Sequence, residues 1–485
     1  MSDVILSTLN AKYIHSAFGL RSLWSNFGQL QHQTTILEFN INQQISQITE
    51  EILAISPKII CFSAYIWNIE QLTSLIYNIK QLSPEIVIIL GGPEASYEYE
   101  TARWYSYVDH VICGEGEIEL PQLINRVLSN NASDKVIKAP VIDDLTKISM
   151  PYSAYTAEDI ANRVVYVESS RGCPFRCEFC ISSLDDKVRF LDVDDFLQQM
   201  LTLINKGVLH FKFIDRTFNV GTSRAIKILD FFLDNWRDGM QLHFEIVPDK
   251  LKPELLEKMK QFPIHGLHLE IGIQSYNPKT QELISRRQDF ELTKANLKSL
   301  LTETGALVHT DLVIGLPAET WDSFALGFNQ LIAQRPQEIQ IGFLKRLKGT
   351  PIIRHTEEYE LIFENVAPFE ILQTKDITFQ QMRQLKKFSR YFDLYYNSEN
   401  FPESMELLWS LNNNYFESFL QLTEFTWKKT GQTHKISLKN LVKILYDFIS
   451  SLNTVNHEQI FSALSSDFYR IPGRKERLEN ILKCC

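Results

Sequence analysis

Short unbroken apolar runs alternate, as far as about residue 360, with segments whose apolar residues recur at helical spacing. The first runs are DVILSTL (3–9), TTILEF (34–39), KIICFSA (58–64), EIVIIL (85–90) and DHVICG (109–114). Residues 41–55 and 69–82 between them carry amphipathic helical patterns. Continuous apolar strands joined by helices predict a parallel sheet covered on both faces, a doubly wound α/β domain over 1–150. The polar stretch NNASDKVIKAPVIDDL then leads to Pro151, where the first boundary is placed. Six further strand–helix units follow, with strands expected at 164–170, 210–215, 242–247, 266–273, 307–314 and 338–343. Six units close only part of a TIM-type barrel, so a partial (β/α)6 barrel is expected over 151–360, with an open side where a large substrate enters. Over 361–485 the strands fade into aromatic-rich helical stretches such as FSRYFDLYY (388–396) and LVKILYDFI (441–449). A mostly α-helical domain is expected there, its aromatics forming a core.

Charge and composition narrow the class. The 485 residues carry 49 basic and 59 acidic side chains, a formal charge of −10. That balance argues against a broad nucleic-acid-binding surface. The N-terminus lacks a basic segment followed by an apolar one, and no run of about 18 apolar residues occurs. The expectation is a cytoplasmic protein with no membrane span. Seven cysteines stand at 61, 113, 173, 177, 180, 484 and 485. An odd number with three clustered is a poor disulfide framework and points to metal.

Those three lie in ESSRGCPFRCEFCISS (168–183), directly after the first strand of the second region. Thiolates at Cys173, Cys177 and Cys180 can hold three corners of an iron–sulfur cube and leave the fourth iron open to a small chelating ligand. A zinc site is the rival, but the next fifteen residues supply no fourth Cys or His. Cys61 and Cys113, inside apolar strands, read as inert core thiols, whereas Cys484 and Cys485 leave redox or metal roles open.

The spacing Cys-x3-Cys-x2-Cys, with Phe179 before the last cysteine, resembles the signature of the radical S-adenosylmethionine (SAM) superfamily. FIDRTFN (213–219), LEIGIQSYNPKTQELISRR (269–287), DLVIGLPAET (311–320) and LKGTPI (347–352) are similar to the later strand motifs of its methylthiotransferase-like and cobalamin-dependent subgroup. The resemblance implies a 4Fe-4S cluster on the three cysteines and reductive cleavage of SAM to a 5′-deoxyadenosyl radical. By the same resemblance Phe179 flanks the adenine, and Glu270, Gln274 and Ser275 lie along the ribose and methionine. Asp215 stands where the superfamily commonly has Gly-Gly-Glu. Asp215, Glu245 and Glu270 are cofactor-binding candidates, with structural ion pairing as the alternative. Arg286 or Arg287 could pair the SAM carboxylate.

Three loops of the first region, LNAKYIHSAFGL (9–20), GGPEAS (91–96) and CGEGEIEL (113–120), follow strand ends, where doubly wound sheets bind large ligands. Glycines there let backbone approach a ligand closely. Placed ahead of such a barrel, the loops resemble a flavodoxin-like cobalamin-binding domain. The resemblance implies cobalamin contacts from Asn10, His15, Ser63, Tyr65, Gly91, Gly92, Pro93, Ser96, Gly114, Glu115, Gly116 and Glu117. The histidine-on motif Asp-x-His-x-x-Gly is absent, since Tyr13 replaces the aspartate and His15 lies four residues before Gly19. His15 is therefore read as a pocket residue. Tyr65 and Trp67 either cover the corrin or belong to the core. The last region resembles an uncharacterised domain found on some cobalamin-dependent radical SAM proteins.

The function expected is cobalamin-dependent methylation of an unreactive carbon on a small molecule, with a reducing partner such as flavodoxin or ferredoxin. A non-methylating radical rearrangement, transfer-RNA modification and a sensor without chemistry are the rivals.

Overall fold

The computed structural model describes residues 3–132, 134–185, 187–471, 474 and 477–482; Cys484 and Cys485 lie outside the described residues. The first sheet comprises β1 (Val4–Asn10), β2 (Thr34–Asn40), β3 (Ile59–Ser63), β4 (Val87–Gly91), β5 (His110–Cys113) and β6 (Val136–Lys138), in the order β2-β1-β3-β4-β5-β6. All pairings in it are parallel. Helices Ile45–Ala54 and Ile69–Leu82 cover one face, helices Phe18–Ser25 and Gly116–Leu128 the other. Two apolar layers explain why β1 and β3 are buried at every position and carry no alternation. The order reverses between β1 and β3, so the loops after them diverge and leave a crevice at the carboxyl ends.

β6 is a strand the hydrophobic pattern does not predict. It is three residues long, flanked by Asp134 and Lys135, and its hydrogen bonds to β5 rather than its composition make it a strand.

The second sheet comprises β7 (Val165–Val167), β10 (His210–Phe213), β11 (Gln241–Ile246), β12 (Leu267–Gln274), β13 (Leu307–Ile314) and β14 (Glu338–Phe343). Its order, β14-β13-β12-β11-β10-β7, is that of a parallel barrel left open between β7 and β14. The strand expected at 164–170 is split. β7 ends at Val167, and β8 (Ser170–Arg171) pairs antiparallel with β9 (Arg189–Phe190), bracketing the cysteine loop.

Beyond residue 360 the chain is mostly helical, apart from a small hairpin of β15 (Ile362–Phe363) and β16 (Ile371–Gln373). Helices Phe379–Phe392 and Tyr415–Thr430 pack on barrel helix Trp321–Ile332. Phe328 of that helix meets Phe388 at 5.1 Å and Phe392 at 5.3 Å between ring centroids. The barrel and the last helices thus share one apolar core, so the C-terminal aromatics serve as core residues. Edge strand β14 is blunted by side chains: Ser389 Oγ donates to Ile341 O at 2.8 Å and Asn397 brackets Ile339 at 3.1 and 3.0 Å.

The first domain docks on the mouth of the barrel. Val164 N donates to Ile14 O at 2.9 Å. Arg21 joins Glu38 at 2.7 Å to Asp159 at 2.8 Å, and Arg163 meets Glu38 at 3.0 Å. Among the described residues no helix is long and apolar enough to cross a membrane.

Candidate active site

The cysteine loop is steered from its first residue. The buried Asp215 carboxylate accepts hydrogen bonds from Ser169 N at 2.9 Å and from the hydroxyls of Ser169 and Ser170, both at 2.6 Å. Asp215 thus turns the chain after β7 and does not line the cysteine pocket. Gly172 adopts φ +90°, and a Cβ there would sit 2.1 Å from Lys187 O, so only glycine fits. Cys173 N donates to Asp185 O at 3.0 Å.

The far half of the loop hangs on Glu178, a buried acid between Cys177 and Phe179. Its backbone N donates to Ile284 O and its carbonyl accepts from Ile352 N, each at 3.0 Å. Its carboxylate accepts from Ser285 Oγ at 2.8 Å, Arg354 Nε at 2.8 Å and His355 Nε2 at 3.0 Å. Glu178 is a residue that motif reasoning misses. The available signal is a charged residue inside a ligand loop, which must be paired once the loop is buried. Glu178→Ala is expected to weaken iron retention by about 10–100-fold, as loss of a ligand-orienting partner does elsewhere. Iron content after gel filtration of the anaerobically reconstituted protein measures it.

Cys173, Cys177 and Cys180 all line one cavity of about 150 Å³, with Phe179, Arg216, Glu245, Glu270, Gln274 and Arg286 among the other lining residues. Burial pushes the Cys173 thiol up to about 11. It also raises Cys177, opposed by the Arg286 guanidinium, whose Nη1 lies 3.5 Å from the sulfur. Buried thiols on one loop, among basic groups, bind metal with loss of their protons. Three soft sulfur donors fit an iron–sulfur cluster with one open corner. Arg286 Nε is buried and without a hydrogen-bond partner among the described residues, while Nη2 donates to Gly272 O. Arg287 is exposed and lies outside the cavity.

Gly272 makes room for that guanidinium: a Cβ there would meet Gln274 Nε2 at 2.3 Å and Arg286 Nη2 at 3.2 Å. The register with β13 shifts between Gly272 and Gln274, and Gln274 takes φ +70°, which re-aims it at the barrel end. Ser275 is turned away, donating to Glu319 and accepting from Asn277 N at 2.9 Å. Glu245 meets Arg216 at 3.3 Å, and burial raises its carboxyl in spite of that partner.

Glu270 reaches down to His243 Nε2 at 2.9 Å and Lys212 at 3.7 Å. Burial opposes its ionisation, yet the hydrogen bond from His243 and the Lys212 charge hold it at about 2. His268 stacks on His243 at 4.2 Å, and burial, with His243 and His309 beside it, lowers it to about 3. Both groups bind fewer protons folded than unfolded, so stability rises with pH through their range. The Glu270 contribution is lost as pH falls from about 4.5 towards 2, the His268 contribution from about 6.5 towards 3. Through His268 the melting temperature is expected to be lower at pH 5.5 than at pH 7.5, a difference that His309, with its raised pKa, opposes. In His268→Asn the difference should shrink, as calorimetry at the two pH values would show.

A second cavity, of about 680 Å³, opens between the carboxyl ends of β1, β3, β4 and β5 and the barrel wall at Tyr166, Glu168 and Ile214. Asn10, His15, Ser63, Tyr65, Gly91, Gly92, Pro93, Gly114, Glu115, Gly116 and Glu117 all line it. Ser96 stands behind the wall, its hydroxyl donating to Gly92 O at 2.9 Å and accepting from Gly114 N at 3.2 Å. Gly92 has φ +97°, and a Cβ there would lie 2.6 Å from Ala64 O. His15 Nδ1 pairs with the Tyr166 hydroxyl at 2.7 Å, and burial, then nearby lysines, lowers its pKa. Tyr65 and Trp67 stack at 4.4 Å and 7°, a flat aromatic wall with Trp67 43% exposed. An aromatic wall facing glycine backbone suits a broad planar ligand such as a corrin.

Glu115 and Glu117 reach across to Arg171, two residues before Cys173. Arg171 meets Glu117 at 2.9 Å, Glu115 at 3.2 Å and Glu168 at 2.8 Å, and Arg189 meets Glu115 at 2.9 Å. Burial opposes the charge on Arg171, and the surrounding carboxylates override it and raise its pKa further. Neither arginine stands out in the sequence, where each reads as an isolated charge.

Family models match in three consecutive stretches: the B12 binding domain over residues 5–124, the radical SAM superfamily over 167–326, and the protein of unknown function DUF4080 over 357–483. An uncharacterised methyltransferase of Pyrococcus horikoshii is 26% identical over 271 residues, which cover 50% of this chain and 56% of that protein. The cobalamin-dependent radical SAM methyltransferase TokK of Streptomyces tokunonensis is 21% identical over 343 residues, 61% of this chain and 48% of its own. The chain spans about half the length of the curated relatives it matches. Among solved structures, the cobalamin-dependent SAM radical enzyme OxsB superposes with a TM-score of 0.66 at 15% identity, covering 99% of this chain and 82% of that one. The radical SAM methyltransferase TsrM of Kitasatospora setae gives 0.59 at 15%, covering 75% and 77%. The chain is therefore built, in order, from a B12 binding domain, a domain of the radical SAM superfamily and a DUF4080 domain.

Proposed function

We propose that this protein methylates an unreactive carbon of a small molecule, using SAM, a 4Fe-4S cluster and cobalamin. The observation that carries the reading is the placement of two cavities: the three-thiol pocket, and the glycine-lined cavity whose wall includes Arg171, two residues before Cys173. When bound, the cluster supplies the electron that splits SAM and cobalamin supplies the methyl carrier. Cys173, Cys177 and Cys180 hold the metal, and Glu178 fixes the loop that carries them. Arg286 orients the SAM carboxylate, and Gln274 and Glu270 line the path of its ribose. Phe179 closes the adenine end. Asn10, Ser63, Gly91, Gly92, Pro93, Gly114 and Gly116 shape the corrin floor, and the Tyr65–Trp67 pair walls it. His15, held by Tyr166, serves as a wall hydrogen bonder. A small electron-transfer protein such as flavodoxin or ferredoxin is the proposed reductant, and the cytoplasm the proposed compartment.

The test is anaerobic reconstitution with iron, sulfide and hydroxocobalamin, then reduction in the presence of labelled SAM. Formation of 5′-deoxyadenosine and label in a metabolite are expected; its absence under strong reductant overturns the reading. Gly91→Phe tests the cobalamin half. Gly91 has an ordinary φ, and a Cβ there would meet only Ile112 O, at 3.6 Å, so the ring fills the cavity without straining the strand. Cobalamin retention on gel filtration is expected to fall at least about tenfold, a loss of about 1.4 kcal/mol. Unchanged retention would move the corrin site elsewhere.

A further inference from the structure

A third cavity, of about 770 Å³, runs from the cysteine loop along edge strand β14 to the C-terminal helix Phe379–Phe392. Phe179 lines both this cavity and the three-thiol pocket, so the two adjoin at the cysteine loop. Its barrel side is apolar, with Val313, Phe343, Leu344 and Leu347. Its helical side is basic. Arg383, Lys386, Lys387 and Arg390 fall at i, i+3, i+4 and i+7, one stripe of the helix, while Met382, Leu385, Phe388 and Tyr391 on the other side enter the core. Lys345 adds a fifth cation, against Glu370 and Asp393 as the lining carboxylates. Lys386 pairs with Glu370, and Arg390 meets Asp393 at 3.5 Å. Lys387 lies 4.2 Å over the Trp427 ring. Arg383 and Lys345 have no ion-pair partner among the described residues. A concentrated positive cavity in a chain of net charge −10 runs against the molecule's own field.

We propose that the substrate of the reaction above is an amphipathic anion, an apolar or aromatic body bearing a phosphate or carboxylate, and that the DUF4080 domain selects it. The apolar body lies towards Phe179 and β14, nearest the reaction site. The anionic group meets the stripe of Arg383, Lys387 and Arg390, with Lys345 opposite. Guanidinium groups favour planar, doubly hydrogen-bonded anions, which suits either headgroup. This inference rests on the radical SAM reading for what happens to the bound molecule, but the charge preference of the cavity is measured without it.

The test uses the full-length reconstituted protein and four probes with one body: 2-naphthyl phosphate, 2-naphthoate, 2-naphthylmethanol and 2-naphthylmethylamine. Equilibrium dialysis at low ionic strength is expected to show one or both anions bound at least tenfold more tightly than the alcohol, with the amine weakest. The phosphate-to-carboxylate ratio identifies the headgroup. Added salt should erode the preference. The triple variant Arg383→Gln/Lys387→Gln/Arg390→Gln, checked for an unchanged circular dichroism spectrum, should bind anion and alcohol alike. Equal binding of all four probes by the unmodified protein overturns the proposal and makes the stripe a solvated face. Formation of 5′-deoxyadenosine by the same preparation is scored separately. If it fails while the anion preference holds, the radical SAM reading falls and the anion site stands; the reverse outcome removes the anion site alone.

Discussion

Cys177→Ala protein, purified and reconstituted without oxygen, is expected to bind no stable cluster and to form no 5′-deoxyadenosine. The thiol removed is the middle member of three, 6% exposed, and touches Arg286. Cys173 and Cys180 cannot by themselves hold a cube, and among the described residues Cys61 and Cys113 lie in the first sheet, unable to substitute. The rest of the protein should remain folded, because Glu178 anchors the loop through groups other than sulfur. The clean readout is therefore a variant with an unaltered circular dichroism spectrum and unaltered cobalamin retention but without the visible absorbance of the cluster. A variant that keeps both absorbance and SAM cleavage would remove Cys177 from the ligand set. Zinc recovered in stoichiometric amount from the unmodified protein would remove the cluster altogether.

Arg171→Ala is expected to be the most damaging change outside the thiols, costing on the order of 3–5 kcal/mol, the range for breaking a buried ion pair from one side. The loss leaves Glu117 and Glu168 without their shared guanidinium where the first domain meets the barrel, and Glu115 with Arg189 alone. Burial already raises Glu168, and Arg171 is the group that opposes it. Without Arg171 the buried Glu168 takes up a proton in the folded state where the unfolded chain does not, so the folded form binds more protons than the unfolded one. By linkage the deficit then grows with pH, smallest near pH 5 and largest near pH 8. Arg171→Lys keeps the charge but not the fork that reaches several carboxylates, and should fall between. Urea unfolding of the three proteins across that pH range checks the sign. Coincident curves at pH 8 would show that the network does not join the domains.

The strand–helix alternation is legible because each apolar run is long enough to be buried on both faces. β1 is the clearest case, with all seven positions buried. β6 and the β15–β16 hairpin are not legible, because strands of two or three residues owe their state to the neighbour that supplies hydrogen bonds. The cysteine triplet and the glycines after β4 and β5 are local patterns, and local patterns survive in a linear reading; the basic stripe from 383 to 390 gains its meaning only from the cavity it borders. Asp215 and Ser275 show the limit: each sits in a motif, and only the packing decides that their side chains serve the backbone beside the site.

The sequence by itself determined the two α/β units, their order, and the cysteine triplet on one loop, since each depends on spacing within a short segment. The tertiary structure alone decided the partnerships across long separations: Arg171 with Glu115 and Glu117, Glu178 with His355, and helix Phe379–Phe392 against the open edge at β14. The reason is physical. A charge can be written anywhere in a chain, but whether it is a solvated ornament or a buried joint depends on which distant surface folding brings against it.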